Sequence, residues 1–406
     1  MLMKKISLFT AALLVLLCGC VPQEEWLRNP VDSSSGAAFS DIVIGVALPL
    51  SGKHAVAGSN MLPGAQMAVD DINQSRGISG RRVKLEICDT RSTPDGAEHA
   101  MKVLAEKGAT VVVGGYSTHE TTGLSSGAQR ERIPLIVPCA TADDISKKNP
   151  FVFRTSYTDT QQAEGLSAYL WYWRQIRKIG VLIDMRVESE YERNIARAAA
   201  QSFSALGGMV MHTANYTDIP SCVNAMKSVM QFAPQAIVVT SIGKEAAMMI
   251  KALRQLGFSG VICGADGWDR DDFFTTLGTY SNLGECIYVT PFSNEYKDDE
   301  YAVFAEKFRK KFYCLPGMHA SVTRDAVIMA GSCVMNCGDV RDFRRNWLAL
   351  QNFFGTSSIY NPKPSGDVDR MIFINTVVPS GMNSKFPGVR LIRSFMHSKL
   401  ESYKFD

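Results

Sequence analysis

Histidine is scarce in this chain, no charge sign dominates it, and no long apolar segment interrupts its body. The 406 residues carry a net charge of +3 and six histidines. Lysines and arginines are scattered. The one dense run, Lys307–Lys311, falls on an expected helix as a solvated face. A nucleic-acid partner needs a basic stripe and is therefore not expected. Nothing beyond residue 20 approaches the ~20 apolar residues of a membrane-spanning helix. No GxSxG elbow stands at the end of an expected strand, and HExxH and GxxxxGK[ST] are missing. No CxxC pair or paired histidines suggest zinc. These absences exclude the commonest hydrolase, zinc-protease and nucleotide-binding classes. The chain is expected not to be an enzyme and to hold no metal or cofactor.

What is present begins at the N-terminus. Lys4 and Lys5 precede an apolar run from Ile6 to Leu17, followed by Cys18, Gly19 and Cys20. A basic region, a dozen apolar residues and a small residue before the cut make a secretory signal, residues 1–19. The ending Leu-x-Gly-Cys resembles a bacterial lipobox. That resemblance implies lipidation of Cys20, export, and anchoring to a bacterial membrane on its periplasmic side or at the cell surface. Residues 20–40 mix Pro, Gly, Ser and polar residues without periodicity, as a tether does. Eight further cysteines, an even number in an exported chain, permit disulfides whose pairing the sequence leaves open.

From Asp41 the pattern alternates. Ile42–Leu48 reads as a β-branched strand, Gly64–Asn73 as a helix, Val83–Ile87 as a strand, Gly96–Lys107 as a helix and Ala109–Val113 as an apolar strand. Helix 121–130 and strand 134–137 complete a first run. After a break at 141–149 a second run alternates from 161 to 264, and later elements return to complete both. Short apolar strands alternating with helices predict an α/β fold of two lobes, each a parallel sheet covered on both faces.

In such sheets ligands sit beyond the carboxyl ends of the strands. The loops there hold Ser117 and Thr118, then Cys139, Ala140 and Thr141, in the first lobe. Tyr191, Asp266 and Trp268 follow strands of the second. Hydroxyls and helix N-termini suit a carboxylate, and an acid beside an aromatic suits a cation, so the pair of walls suits an amino acid. Each residue also has a structural reading: Ser117 and Thr118 as helix caps, Thr141 and Asp266 as turn residues, Trp268 as core.

PLSG at 49–52, GAQMAVDDIN at 64–73, RIPLIVPCAT at 132–141, FRTSYTDTQQ at 153–162, CGADGWD at 263–269 and IYVTPF at 287–292 together resemble the type I periplasmic binding proteins. The branch they resemble is the leucine/isoleucine/valine-binding receptors of ABC transporters. The resemblance implies two Rossmann-like lobes joined by three hinge crossovers, near 155–160, 288–292 and 376–380. It divides the chain into lobe 1, residues 41–157 with 291–376, and lobe 2, residues 158–290 with 377–406. It also implies a small-molecule ligand between closing lobes and, as partners, ABC permease subunits and the membrane through the lipid. The carboxylate-binding hydroxyl falls on Thr118, its supporting backbone contact on Cys139 and its threonine on Thr141. The ammonium-binding acid falls on Asp266 and a tyrosine on Tyr191. The pattern departs at Ile242 and Ala57, where the family has aromatics, and at Ser92 and Ser117, where it has a disulfide. Amino acids beyond the branched-chain set, amides and small acids therefore stay open. A ligand sensor reporting to a signalling partner is the alternative to an importer.

Overall fold

A computed structural model describes residues 40–186, 190–296, 299–379 and 388–400. The signal, Cys20 and nearly all of the tether lie outside the described residues.

The first lobe is built on β1 (Ile42–Leu48), α1 (Ala55–Gln74), β2 (Val83–Asp89), α2 (Pro94–Glu106), β3 (Val111–Gly114), α3 (Thr118–Glu131), β4 (Leu135–Val137) and β5 (Val152–Arg154). Its five strands run parallel in the order β2-β1-β3-β4-β5. Ile44, Val46 and Leu48 face one core and Ala47 the other, as the period-2 alternation of a strand requires. Val113 and Val112 divide the same way, so both faces of the sheet are dry.

The second lobe follows with α4 (Asp159–Ala168), β6 (Lys178–Asp184), α5 (Glu190–Ala205), β7 (Met209–Tyr216), α6 (Ile219–Met230), β8 (Ala236–Val239), α7 (Gly243–Gln255), β9 (Val261–Gly264), α8 (Asp271–Leu277) and β10 (Cys286–Thr290). Strands β7-β6-β8-β9-β10 are parallel neighbours. The chain then returns through α9 (Asp299–Phe312), α10 (Met318–Cys333), α11 (Val340–Ala349), β11 (Phe353–Phe354), β12 (Ile359–Pro362), β13 (Val368–Val378) and β14 (Gly388–Met396). Helices α10 and α11 cover the first sheet, where Val327, Met329, Phe343 and Trp347 fill the core against β1 and β3.

The chain passes between the lobes three times. The first passage lies between β5 and α4, the second follows β10, and the third lies inside β13. Val368–Arg370 pair with β12, while Phe373–Thr376 pair with β10. The third passage therefore falls at 370–372, earlier than the 376–380 read from the sequence, because one continuous strand serves both lobes.

Four elements escaped the sequence pattern. β5, β11 and β12 are too short to show a period. α8 is a seven-residue helix with only two buried residues, Phe273 and Leu277. Helix α1 starts at Ala55, well before Gly64, and carries Pro63 inside it. All eight described cysteines are free thiols. A GLSSG run at 123–127 does match GxSxG, but it lies within α3 rather than at a strand-to-helix turn. Its Ser125 accepts from the Asn149 amide at 3.0 Å.

Helices α1 and α10 pack closely at Gly64, where an added Cβ would fall on the carbonyl oxygen of Ala320. Gly64→Val is expected to force the two helices apart and destabilise the protein by about 1–3 kcal/mol. Urea denaturation checks this, and an unchanged midpoint would show that the helices separate freely.

Candidate ligand-binding cleft

The cleft lies beyond the carboxyl ends of both parallel sheets and encloses a cavity of about 430 Å³. Gly115, at φ +100°, turns the chain sharply out of β3. No side chain favours that backbone, and an added Cβ would meet the Thr121 hydroxyl at 2.6 Å. The turn delivers Tyr116, Ser117 and Thr118 to the cavity. Ser117 caps α3, accepting from Glu120 N at 3.2 Å, so its structural reading holds although the residue also lines the cleft. Thr118 and His119 follow in the first helical turn, where backbone N–H groups lack intrahelical acceptors.

The β4 loop supplies Cys139, Ala140 and Thr141 to the same wall. It is fastened on two sides: Ala140 N donates to Gly115 O at 3.3 Å, and the Ser156 hydroxyl donates to Ala140 O at 2.8 Å. Burial pushes the Cys139 thiol well above its ordinary value, which leaves it a neutral wall rather than a nucleophile.

Asp266 stands on the opposite wall, in a single 3-10 turn after β9. Tyr191, from α5, donates its hydroxyl to Asp266 Oδ1 at 2.6 Å and accepts from Gly267 N at 3.0 Å. Gln162, on α4, accepts from Asp266 N at 3.1 Å. Burial pushes the Asp266 carboxyl up to about 6, against the Tyr191 and Gln162 hydrogen bonds that hold it down. Among the described residues no cation forms an ion pair with this acid, and it faces the cavity.

Trp268 is a correction. It does not line the cleft but sits in the core, 1% exposed, stacked on Phe273 at 5.2 Å between centroids. Its indole occupies the space that a Cβ on Gly264 would take. Two residues beyond Asp266, the 3-10 turn has rotated the side chain away from the cavity.

The cavity also takes residues that the sequence did not single out. Tyr116 precedes Ser117 in the same loop, and Arg270 follows the Asp266 turn closely. Tyr157 and Ser156 belong to the first passage. His319 begins α10, some 200 residues from the first loops, and carries no local signal. Arg270 Nη1 donates to the Tyr116 hydroxyl at 2.6 Å, so the lobes also touch directly across the cleft.

Several buried acids cluster around the cleft. Burial pushes Asp159 up to about 7, with the Thr141 hydroxyl opposing and the Asp266 charge reinforcing. Burial likewise pushes Glu120 and Glu192 up to about 7. A carboxyl raised on folding holds its proton in the folded state at pH values where the unfolded chain has lost it. The contribution of these acids to stability is therefore greatest near pH 4 and falls as pH rises toward 7. The ligand-free protein should melt higher at pH 5 than at pH 8. Asp159→Asn should recover on the order of 2 kcal/mol at pH 8 and little at pH 5. Melting curves at both values decide it, and a parallel shift at both would remove Asp159 as the cause.

The sequence model of the periplasmic binding protein family matches residues 41–347. A Leu/Ile/Val-binding protein homolog of Brucella melitensis is 26% identical over 60% of this chain and 66% of its own length. The Leu/Ile/Val-binding protein BraC3 of Rhizobium johnstonii is 28% identical over 60% of this chain and 65% of its own. The match thus spans slightly less than two thirds of these relatives. Among solved structures, the leucine-binding protein LivK of Thermotoga maritima superposes with a TM-score of 0.74 at 21% identity, covering 87% of this chain and 98% of that one. A leucine-, isoleucine-, valine-, threonine- and alanine-binding protein of Brucella ovis in its closed conformation gives 0.77 at 14% identity, covering 89% and 96%. At these identities the superpositions speak for the fold.

Proposed function

The chain belongs to the periplasmic binding protein family, and from that premise we propose that it is the solute receptor of an ABC importer, holding an amino acid between its lobes. The observation that carries this reading is the pairing of walls. Asp266, desolvated and oriented by Tyr191, faces the hydroxyl- and N–H-rich loops at Thr118 and Thr141 across one cavity. An ammonium would supply the charge that Asp266 lacks, and a carboxylate would take the helix N-terminus of α3. Closure of the two lobes about the three passages would expel water and strengthen both contacts.

Among the described residues no helix is long and apolar enough to cross a membrane. Attachment through a lipidated Cys20, as the N-terminal motif suggests, would keep such a receptor beside its permease on the outer side of a bacterial membrane. The relatives named for amino-acid binding support the ligand class.

The test is a thermal-shift screen on purified protein, unfolded and refolded to strip carried-over ligand, against amino acids, amides and small carboxylates. A ligand at 100 times its dissociation constant adds ~2.7 kcal/mol. Selective stabilisation by zwitterions supports the reading. Stabilisation by carboxylates alone, or by nothing, counts against it.

A further inference from the structure

Resting on that reading, the far end of the cavity identifies the side chain of the ligand. Tyr116 stands there between two imidazoles, with ring centroids 5.0 Å from His54 and 5.5 Å from His319, and Met318 adjoins them. Three flat rings and a thioether make a polarisable wall, suited to an aromatic partner.

The wall also has hydrogen-bonding capacity to spare. The Tyr116 hydroxyl accepts from Arg270 at 2.6 Å, and its own proton has no acceptor among the described residues. The ring nitrogens of His319 likewise have no hydrogen-bond partner among them. Burial depresses His319 to about 4, so at neutral pH the ring offers one donor and one acceptor.

Both arginines of the cavity are engaged within the protein. Arg270 holds Asp272 through bonds of 3.0 and 3.2 Å, and Arg186 holds Asp184 through bonds of 2.8 and 3.0 Å. Lys53, Glu190, Glu192 and Glu245 line the cavity as well, so charge does not choose the side chain and the choice rests on the aromatic wall. An aliphatic side chain would fill the space but leave Tyr116 and His319 unsatisfied, which a desolvated site penalises. Size is no obstacle, because a second space of about 730 Å³ opens along the same Tyr116, His54 and His319 wall.

We propose that the ligand is an aromatic amino acid whose ring carries a hydrogen-bonding atom (a phenol, an indole or an imidazole), stacked against Tyr116 and His319. Isothermal titration of refolded protein with L-tyrosine, L-tryptophan, L-histidine, L-phenylalanine, L-leucine and L-valine tests it. At least one of the first three should bind ten-fold or more tightly than leucine, with phenylalanine between. In Tyr116→Phe or His319→Phe the advantage of that ligand over phenylalanine should shrink to less than three-fold. Leucine or valine binding tightest, or six similar affinities, would overturn the aromatic assignment while leaving the receptor reading intact. Binding of none would overturn the aromatic assignment, and the wider screen of amino acids, amides and small carboxylates would then decide the receptor reading. The wild-type panel decides the matter even where a variant fails to fold.

Discussion

Asp266→Ala is expected to lower the affinity for a zwitterionic ligand by about 2–5 kcal/mol, a loss of roughly 30-fold to several thousand-fold. Among the acids that line its wall, Asp266 is the one that Tyr191 and Gln162 hold in place opposite Thr118 and Thr141. Folding should be unharmed, since the substitution removes a desolvated carboxyl that burial has raised to about 6. The sign of the pH dependence follows. Ammonium binding needs the carboxylate, so affinity in the wild type should fall as pH drops below about 6. The alanine variant should lose that dependence. Calorimetric titration between pH 5 and 8 measures both, and an affinity within three-fold of wild type would remove Asp266 from the ligand's contacts.

Arg370→Met should be the most destabilising single change near the cleft. Arg370 is 0% exposed and lies where β13 passes from one lobe to the other. Its guanidinium donates to Thr155 O at 2.8 Å, in the first passage, and to Pro291 O at 2.6 Å, in the second. One side chain therefore fastens all three passages, and the Tyr157 and Tyr360 rings lie against it at 5.7 and 4.9 Å. Charge-assisted bonds of this kind contribute ~1.5–3 kcal/mol each, so the loss should reach about 3–5 kcal/mol in urea denaturation. Arg370→Lys, with a point charge in place of a fork, should retain part of it. A second readout is independent of stability. The Arg370 charge helps to hold Asp266 down, so the pH midpoint of binding should move upward in Arg370→Met. Wild-type stability with an unmoved midpoint would show that the passages are held by other contacts.

The parallel alternation was legible because each strand is a short β-branched run and each helix has an apolar stripe. Ile42–Leu48 was read from the sequence to the residue. Elements whose support comes from the tertiary structure were not. β5 has three residues, and Pro63 masked the first turns of a helix that packing against α10 sustains. No local signal in the sequence says that the first residues of β13 pair with β12 and its later ones with β10. The loops at 116–118, 139–141 and 266 were found because strand ends in a parallel sheet share one edge. Trp268 was misplaced because the rotation of a single 3-10 turn separates a cavity residue from a core residue two positions away.

The sequence by itself determined the alternation of the longer strands and helices, the loops that meet at the strand ends, and the family resemblance. Hydrophobic periodicity and loop chemistry are local, and a short window suffices to read them. Only the tertiary structure decided which side chains share the cavity. It placed His319 beside Tyr116, put Arg270 across from the first lobe, and made Arg370 the tie between three passages. These pairs lie far apart in the chain, and they meet because three separate passages bring the carboxyl ends of two sheets face to face. No spacing in the sequence encodes a distance of that kind.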